Sequence, residues 1–221
     1  MKHKTNIVRK PWGYEYLVYQ NENVALWLLY LMNNQTTSLH CHPKKTTGLI
    51  VIDGIVETSF FNDKRTLHEK EKIMIRKGLF HSTKSLSTGG SILFEIETPV
   101  DKKDLVRFKD NYGREGLPYE DYKFEEPKYE DSLWITEPKL NKKNIYNYAN
   151  SEITVISIIN IEAFNDIDND ENIIFLNGGI LTNDNQYVAG PGDIVICKTV
   201  KQLLTVFKNV DKKTIIMTLK K

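Results

Sequence analysis

Three histidines are the residues of this chain whose type and spacing suggest chemistry. His40 and His42 lie two apart in a stretch of strand character, and side chains two apart on a strand point to the same face, with Cys41 pointing away. His81 could join them if its segment lies beside theirs, as a small barrel allows. Three converging imidazoles would bind one divalent metal ion (Zn, Fe, Mn or Ni) and leave positions open for water or substrate. The alternative is a histidine pair exposed on an edge strand that binds nothing.

The composition argues against several other kinds of protein. Lys and Arg number 30 against 29 Asp and Glu, and the net charge of +1 gives no reason to expect nucleic acid or an anionic membrane as partner. The longest apolar runs are too short to span a bilayer, and the N-terminus lacks the apolar segment of a secretion signal. Cys41 and Cys197 form no disulfide framework. These features indicate a cytoplasmic protein.

The elements that would position the histidines are strands. Short runs rich in Val, Ile, Leu, Phe, Tyr and Thr alternate with clusters of Asn, Asp, Gly and Lys, which is typical of an all-β sandwich or barrel. The second half repeats the order of the first, so we expect two barrels in tandem. The predicted strands are 15–19, 24–32, 48–52, 55–61, 72–75 and 91–98, then 153–161, 172–176, 179–182, 193–197, 203–207 and 213–219.

The turns and the polar middle of the chain suggest the domain boundaries. Asp53-Gly54 and the segment 177–179 predict hairpin turns, because their residues tolerate positive φ. A stretch crowded with Lys, Asp, Glu, Tyr and Pro begins at Asp101, and we expect a short helix over 102–109 within it. The prediction is a metal-binding barrel over residues 1–120, a polar linker over 121–144 and a second barrel without metal ligands over 145–221.

The histidine spacing resembles the two motifs of the cupin superfamily. The chain reads His40-x-His42, then Gly54, and later Gly78-x-x-His81, where the family has H-x-H, Glu and Gly, and then P-x-G-x-x-H. Thr47 stands where the family has its Glu. The resemblance implies two tandem double-stranded β-helix barrels, a bicupin, with three histidine ligands and no carboxylate in the first.

Two longer segments resemble one branch of that superfamily, the type II mannose-6-phosphate isomerase domain. The stretch 9–15 reads R-K-P-W-G-Y-E, similar to the opening R-P-W-G-x-Y of that domain, and 104–114 resembles its closing D-[IL]-V-R-x-x-D-x-Y-G-R. His40 falls where this branch commonly has Gln. The resemblance implies that Arg114, the closing Arg, contacts a sugar phosphate.

Two further positions are candidates for the same site. Glu97 shares a strand face with Glu95, so that both point either into the cavity, where Glu97 would supply a base, or towards water. Lys45 follows the histidine pair together with Lys44, and either meets a phosphate or lies in a solvated turn.

The function that these features predict is a metal-dependent enzyme of isomerase or epimerase type in carbohydrate biosynthesis. It would act on a small-molecule carbohydrate, either a sugar phosphate or a nucleotide sugar. The alternatives are a three-histidine iron dioxygenase and a sugar-binding or regulatory cupin without turnover. A homodimer is expected, because an open barrel edge is usually covered.

Overall fold

The computed structural model describes residues 7–119, 124–125 and 132–220, with backbone only for 124–125. The chain divides into two compact units, Met1–Trp134 and Ile135–Lys221. The described residues form twenty strands, one α-helix and one 3₁₀ helix, so the all-β prediction is confirmed. Among these residues no helix is both long enough and apolar enough to cross a membrane.

The first unit contains twelve strands in its described part. They are β1 (Ile7–Lys10), β2 (Gly13–Gln20), β3 (Ala25–Leu31), β4 (Leu39–Cys41), β5 (Thr46–Asp53), β6 (Val56–Ser59), β7 (Lys64–Leu67), β8 (Lys72–Ile75), β9 (Ser82–Ser85), β10 (Ser91–Thr98), β11 (Val106–Lys109) and β12 (Phe124–Glu125).

The strand order of the first unit is that of a double-stranded β-helix. One sheet has the order β12-β1-β2-β3-β10-β5-β8, and a second has the order β7-β6-β9. Single bridges, Thr36 to Lys84 and His40 to His81, join the segment around β4 to the segment around β9. From β3 to β10 the chain therefore crosses between two four-stranded sheets, β3-β10-β5-β8 and β4-β9-β6-β7, with β6 and β7 as neighbours in the second. This is the eight-stranded architecture of jelly rolls and cupins.

The inner face of β10 shows how one strand serves both the core and a polar site. Leu93 is buried in an apolar cluster with Leu29 and Val51 of the same sheet and with Val56 of the other. Alternate residues of a strand share a face, so Glu95 and Glu97 follow Leu93 on the inner side. The interior is therefore apolar at the level of Leu93 and acidic further along β10.

The two Gly turns join the sheets and do not close hairpins. Asp53-Gly54 lies between β5, which pairs with β10 and β8, and β6, which pairs with β7 and β9. Gly54 has φ of +84°. A Cβ atom at this position would lie 2.9 Å from the carbonyl oxygen of Gly90, so the corner needs glycine as much as a hairpin would. The hairpin prediction at Asp53-Gly54 is therefore wrong.

The second unit repeats this strand order in part. Its elements are β13 (Lys143–Tyr148), β14 (Ser151–Ile158), a 3₁₀ helix (Ile161–Asp166), β15 (Asn172–Asn177), β16 (Ile180–Leu181), β17 (Tyr187–Ala189), β18 (Ile194–Ile196), α1 (Cys197–Val206), β19 (Asn209–Val210) and β20 (Thr214–Lys220). The sheet orders are β13-β14-β20-β15-β18 and β17-β16-β19. The core order β14-β20-β15-β18 corresponds to β3-β10-β5-β8. The turn at 177–179 is again a corner between sheets, since β15 and β16 belong to different sheets, so this hairpin prediction is also wrong.

Two segments have a different secondary structure from the one that the sequence predicts. The short helix expected over 102–109 is wrong, because Val106–Lys109 forms β11 and pairs with β4. The strand expected over 203–207 is wrong, because Cys197–Val206 forms α1. Cys197, Val200 and Leu204 are buried on one face of α1 in the core of the second unit. Their spacing of three and four residues is the signal that distinguishes this helix from a strand.

Gly13 generates a prediction about the stability of the first unit. It pairs with Leu31 at the start of β2, its φ is +148°, and a Cβ atom would lie 1.9 Å from the carbonyl oxygen of Tyr30. We expect Gly13→Ala to lower the free energy of unfolding by at least about 1–3 kcal/mol, measured by urea denaturation. Gly89→Ala is the control, because no heavy atom lies within 4 Å of the Cβ position there. Equal urea midpoints for the two variants would contradict the close approach of β2 and β3.

Candidate metal centre

The fold brings the three histidines together from two chain segments. His40 lies on β4, His42 directly follows β4, and His81 directly precedes β9. The main chains of His40 and His81 exchange two hydrogen bonds, with N–O distances of 3.0 and 2.8 Å. The ring centroids lie 4.9 Å apart for His40 and His42, 4.5 Å for His40 and His81, and 5.6 Å for His42 and His81. The convergence predicted from the spacing is therefore present.

Each ring is held by a main-chain carbonyl group on its Nδ1 side. His40 Nδ1 lies 2.7 Å from the Ser38 oxygen, His42 Nδ1 lies 2.6 Å from the Asp104 oxygen, and His81 Nδ1 lies 3.0 Å from the Leu79 oxygen. A carbonyl oxygen only accepts hydrogen bonds, so each Nδ1 carries the proton and each Nε2 presents a lone pair. A hydrogen bond from the other ring nitrogen to a carbonyl or carboxylate is typical of histidines that bind metals.

The donor set fits a divalent cation. One ligand atom from each of the three histidines lies within 4.8 Å of the others, the only such group among the described residues. His42 Nε2 is buried and has no hydrogen-bond partner in the described part of the chain. A buried polar atom without a partner is costly, and a metal ion at the shared position would satisfy it. Three neutral imidazole donors suit Zn, Fe, Mn or Ni.

Burial keeps the imidazoles neutral. Burial lowers the pKa of His42 to about 2, with the Lys45 charge acting in the same direction. Burial likewise lowers the pKa of His81 to about 4, and burial and the neighbouring His81 lower that of His40 well below its usual value. All three rings are therefore unprotonated at neutral pH, which is the form that coordinates a metal.

The carboxylate next to the histidines comes from β10. Thr47 on β5, where the resemblance would place an acid, is fully buried, and its hydroxyl has no partner among the described residues. Glu95 Oε1 lies 4.0 Å from His42 Nε2, which is too far for a hydrogen bond. Burial raises the pKa of Glu95 to about 7; the positive charge of Lys102 opposes this shift and the negative charge of Glu97 adds to it.

A network of buried ion pairs lies beside the histidines. Lys45 Nζ lies 2.6 Å from Glu97 Oε1, and both side chains are 1% exposed. Lys102 Nζ lies 3.4 Å from Glu15 and 3.5 Å from Glu97, and 3.8 Å from the centre of the Trp27 ring. Together these ammonium groups hold two carboxylates inside the barrel.

The charges of this network reinforce one another. Burial raises the pKa of Glu15, but Lys102, Lys10 and a hydrogen bond donated by the Tyr119 hydroxyl together hold it below its usual value. Burial lowers the pKa of Lys102, but Glu15, Glu97 and Glu95 together raise it above its usual value. Lys102 and Glu15 are therefore both charged at neutral pH.

Two arginines also face the pocket. Arg114 forms a two-pronged pair with Asp110, with Nε–Oδ2 and Nη2–Oδ1 distances of 2.9 and 2.7 Å. Arg107 lies directly opposite His40 across the β4–β11 ladder, and its Nη1 donates to the carbonyl oxygens of Leu117 and Pro118. Both guanidinium groups are thus held in place by the chain segment that follows β10.

The pocket beside the histidines is lined by every site residue predicted from the sequence except His81, which lines a smaller adjoining cavity with His40 and Glu95. It has an empty volume of about 490 Å³, its open mouth included. Its lining residues are Lys10, Trp12, Glu15, Leu29, Thr37, Ser38, His40, His42, Lys45, Glu95, Glu97, Lys102, Leu105, Arg107, Arg114 and Tyr119. The sequence did not single out Glu15, Lys102, Arg107 or Tyr119. Three of these four follow β10 in a stretch whose composition resembles a solvated loop.

The comparisons with known proteins concern the fold. No protein-family profile and no curated protein matches the chain. It is similar to the solved structure of KdgF from a Halomonas species, at 15% identity over 46% of this chain and 92% of that one, with a TM-score of 0.42. It is also similar to a cupin sugar phosphate isomerase from Silicibacter pomeroyi, at 10% identity over 40% of this chain and 59% of that one, with a TM-score of 0.37. A third similar structure is that of the capsular polysaccharide assembling protein CapF from Staphylococcus aureus, at 14% identity over 48% of this chain and 34% of that one, with a TM-score of 0.42.

The chain is also similar to an uncharacterized conserved protein with a double-stranded β-helix domain from Klebsiella pneumoniae, at 16% identity over 47% of this chain and 91% of that one, with a TM-score of 0.42. The same fold class follows from the strand order of the first unit alone. The finer resemblance to the type II mannose-6-phosphate isomerase domain stays a prediction.

The buried pair of Lys45 and Glu97 generates a second prediction. Glu97→Gln leaves the Lys45 ammonium group buried without its carboxylate, so we expect the free energy of unfolding to fall by about 3–5 kcal/mol. The matched control is Glu57→Gln, which breaks an ion pair with Lys64, whose side chain is 67% exposed, and should cost less than about 1 kcal/mol. Urea denaturation of both variants measures the difference. Equal losses would show that the interior of the barrel is far more hydrated than the burial of Glu97 indicates.

Proposed function

We propose that the first unit is a metal-dependent enzyme of the cupin type that isomerises or epimerises a sugar phosphate or a nucleotide sugar in carbohydrate biosynthesis. The observation that carries the proposal is the convergence of three neutral histidine side chains beside a carboxyl group, next to a pocket with an excess of cationic side chains. His40, His42 and His81 would hold one divalent ion. When bound, that ion supplies an electrophile that polarises a carbonyl or hydroxyl oxygen of the substrate.

The charges of the pocket favour an anionic substrate. Five cationic and three acidic side chains line it: Lys10, Lys45, Lys102, Arg107 and Arg114, and Glu15, Glu95 and Glu97. The three imidazoles add no charge of their own, and a bound ion would add two positive charges. A cleft with an excess of one sign attracts ligands of the other sign. This supports a substrate that carries a phosphate, with Arg114 as the candidate side chain for its recognition. Lys45, the other candidate from the sequence, is 1% exposed and paired with Glu97, so it would act on the substrate through its charge.

Two carboxyl groups are candidates for the proton transfer that an aldose–ketose isomerisation requires. Glu97, which the sequence favours, is 1% exposed and is engaged by Lys45 at 2.6 Å. Glu95 is 8% exposed, borders the pocket and lies beside His42. We therefore assign the proton transfer to Glu95, with Glu97 holding Lys45 and Lys102 in position.

The metal requirement is tested first. We expect protein purified without chelators to retain about one divalent ion per chain by elemental analysis, and to interconvert members of a panel of aldose and ketose phosphates. His42→Ala should lose both properties, whereas His68→Ala, at an exposed histidine, should lose neither. Bound iron with substrate-dependent O₂ uptake would instead favour the three-histidine dioxygenase. If no metal is retained and His42→Ala changes no property, a non-catalytic sugar-binding protein is favoured.

The role of Glu95 is tested separately. Glu95→Gln preserves the shape of the side chain but cannot accept a proton, so we expect kcat to fall by about 10²–10⁴-fold with the metal content unchanged. Steady-state kinetics with the converted phosphate, together with elemental analysis, measure both quantities. If Glu97→Gln, in its folded fraction, abolishes turnover while Glu95→Gln does not, the base is Glu97.

A homodimer and a small-molecule carbohydrate partner complete the proposal. Light scattering of the purified full chain measures the subunit number. A monomer would remove the homodimer from the proposal and leave the proposed chemistry unaffected.

A further inference from the structure

We propose that Asp104 is a positioning residue, which orients the His42 ring for metal binding through its own main-chain carbonyl group. The effect on metal binding rests on the proposed function, but the orientation of the His42 ring is a property of the chain without a metal. Asp104 lies in the segment between β10 and β11 and is 7% exposed.

His42 differs from the other two histidines in the origin of its carbonyl partner. His40 and His81 each bond to the carbonyl of the residue two positions earlier, Ser38 and Leu79, so their own strand segments set these contacts. The partner of His42 lies 62 residues away in the sequence. The orientation of His42 therefore depends on tertiary contacts that place the Asp104 carbonyl, and local backbone geometry alone does not provide it.

The Asp104 carboxylate supplies those contacts. Its Oδ2 accepts hydrogen bonds from the main-chain N–H groups of Lys44 and Lys45, at 2.8 and 3.0 Å. These residues directly follow His42, so the segment 42–45 holds the Asp104 side chain while the Asp104 carbonyl holds the His42 ring. Hydrogen bonds to a carboxylate are stronger than those between neutral groups. The result is a closed ring of hydrogen bonds between two distant segments.

Lys102 anchors the same segment on its other side. It lies two residues before Asp104, and its ammonium group contacts Glu15 and Glu97 and lies over the Trp27 ring. The segment is therefore attached both to the histidine side and to the acidic side of the pocket. Removal of the Asp104 carboxylate should break the hydrogen bonds to the main chain of Lys44 and Lys45, while the contacts of Lys102 remain.

The experiment compares Asp104→Ala with Asp104→Asn and with the control Lys103→Ala, which alters an exposed neighbour. The first readout is NMR of the metal-free, ¹⁵N-histidine-labelled full chain, which reports the tautomer of each ring. The second is the Kd for Co²⁺ together with the visible spectrum of the Co²⁺ complex. The Asn side chain keeps an oxygen that accepts both N–H groups, so it should restore most of what Ala loses.

We expect Asp104→Ala to change the tautomer of His42 alone, from Nδ1–H to a mixture, with His40 and His81 unchanged. The Kd for Co²⁺ should rise about 10–100-fold, as for other outer-shell partners of metal-binding histidines, and Lys103→Ala should match the wild type. An unchanged His42 tautomer would overturn the inference. A change in all three rings at once would also overturn it, because Asp104 would then support the barrel as a whole.

The two readouts separate this inference from the proposed function. If the wild type binds no Co²⁺ but His42 alone changes its tautomer in Asp104→Ala, the positioning role stands and the metal function falls. If the wild type binds Co²⁺ and Asp104→Ala leaves both the tautomer and the Kd unchanged, the metal function stands and the positioning role falls.

Discussion

The hydrogen bonds from the three histidine Nδ1 atoms to main-chain carbonyl oxygens are the constraint on which the site depends. They put the proton of each ring on Nδ1 and leave a lone pair on each Nε2, and burial keeps the rings neutral. With the opposite tautomer at any one ring, an N–H group would point at the shared position and repel a cation. The main chain of the barrel, and not only the type of side chain, therefore makes these histidines a group that could hold a metal ion.

The strand order explains how the first unit brings its histidines together. In a double-stranded β-helix the segment after the first core strand and the segment before the seventh lie side by side, which brings His40 next to His81. In the second unit a 3₁₀ helix over Ile161–Asp166 and α1 occupy these two places in the strand order. Both are packed into the core of that unit through apolar side chains. The places of the two histidine-bearing segments in the first unit are thus taken by core elements in the second.

The sequence predicts what short-range geometry determines. The strand period of two places His40 and His42 on one face, and the same period places Glu95 and Glu97 together. The period does not reveal which of the two carboxylates is buried in an ion pair. Lys45 and Lys102, which pair with Glu97, come from distant segments of the chain. The contributions of Lys102 and Asp104 were missed because a charged stretch after β10 has the composition of a solvated loop, and only packing against the barrel buries it. The Gly corners were mistaken for hairpins because both require positive φ.

The placement of acids around the histidines determines the charge that the site presents. Thr47 supplies no carboxylate, and Glu97, its direct neighbour across the β5–β10 ladder, is engaged by the Lys45 ammonium group. A cation at the histidines would therefore be bound by neutral donors, with Glu95 as the nearest acid described here, and would retain most of its charge. An ion in such a site attracts an anionic oxygen of a ligand more strongly than one neutralised by carboxylates. The Lys45–Glu97 pair thus keeps one acid from the histidines, and a cation held there would favour an anionic ligand.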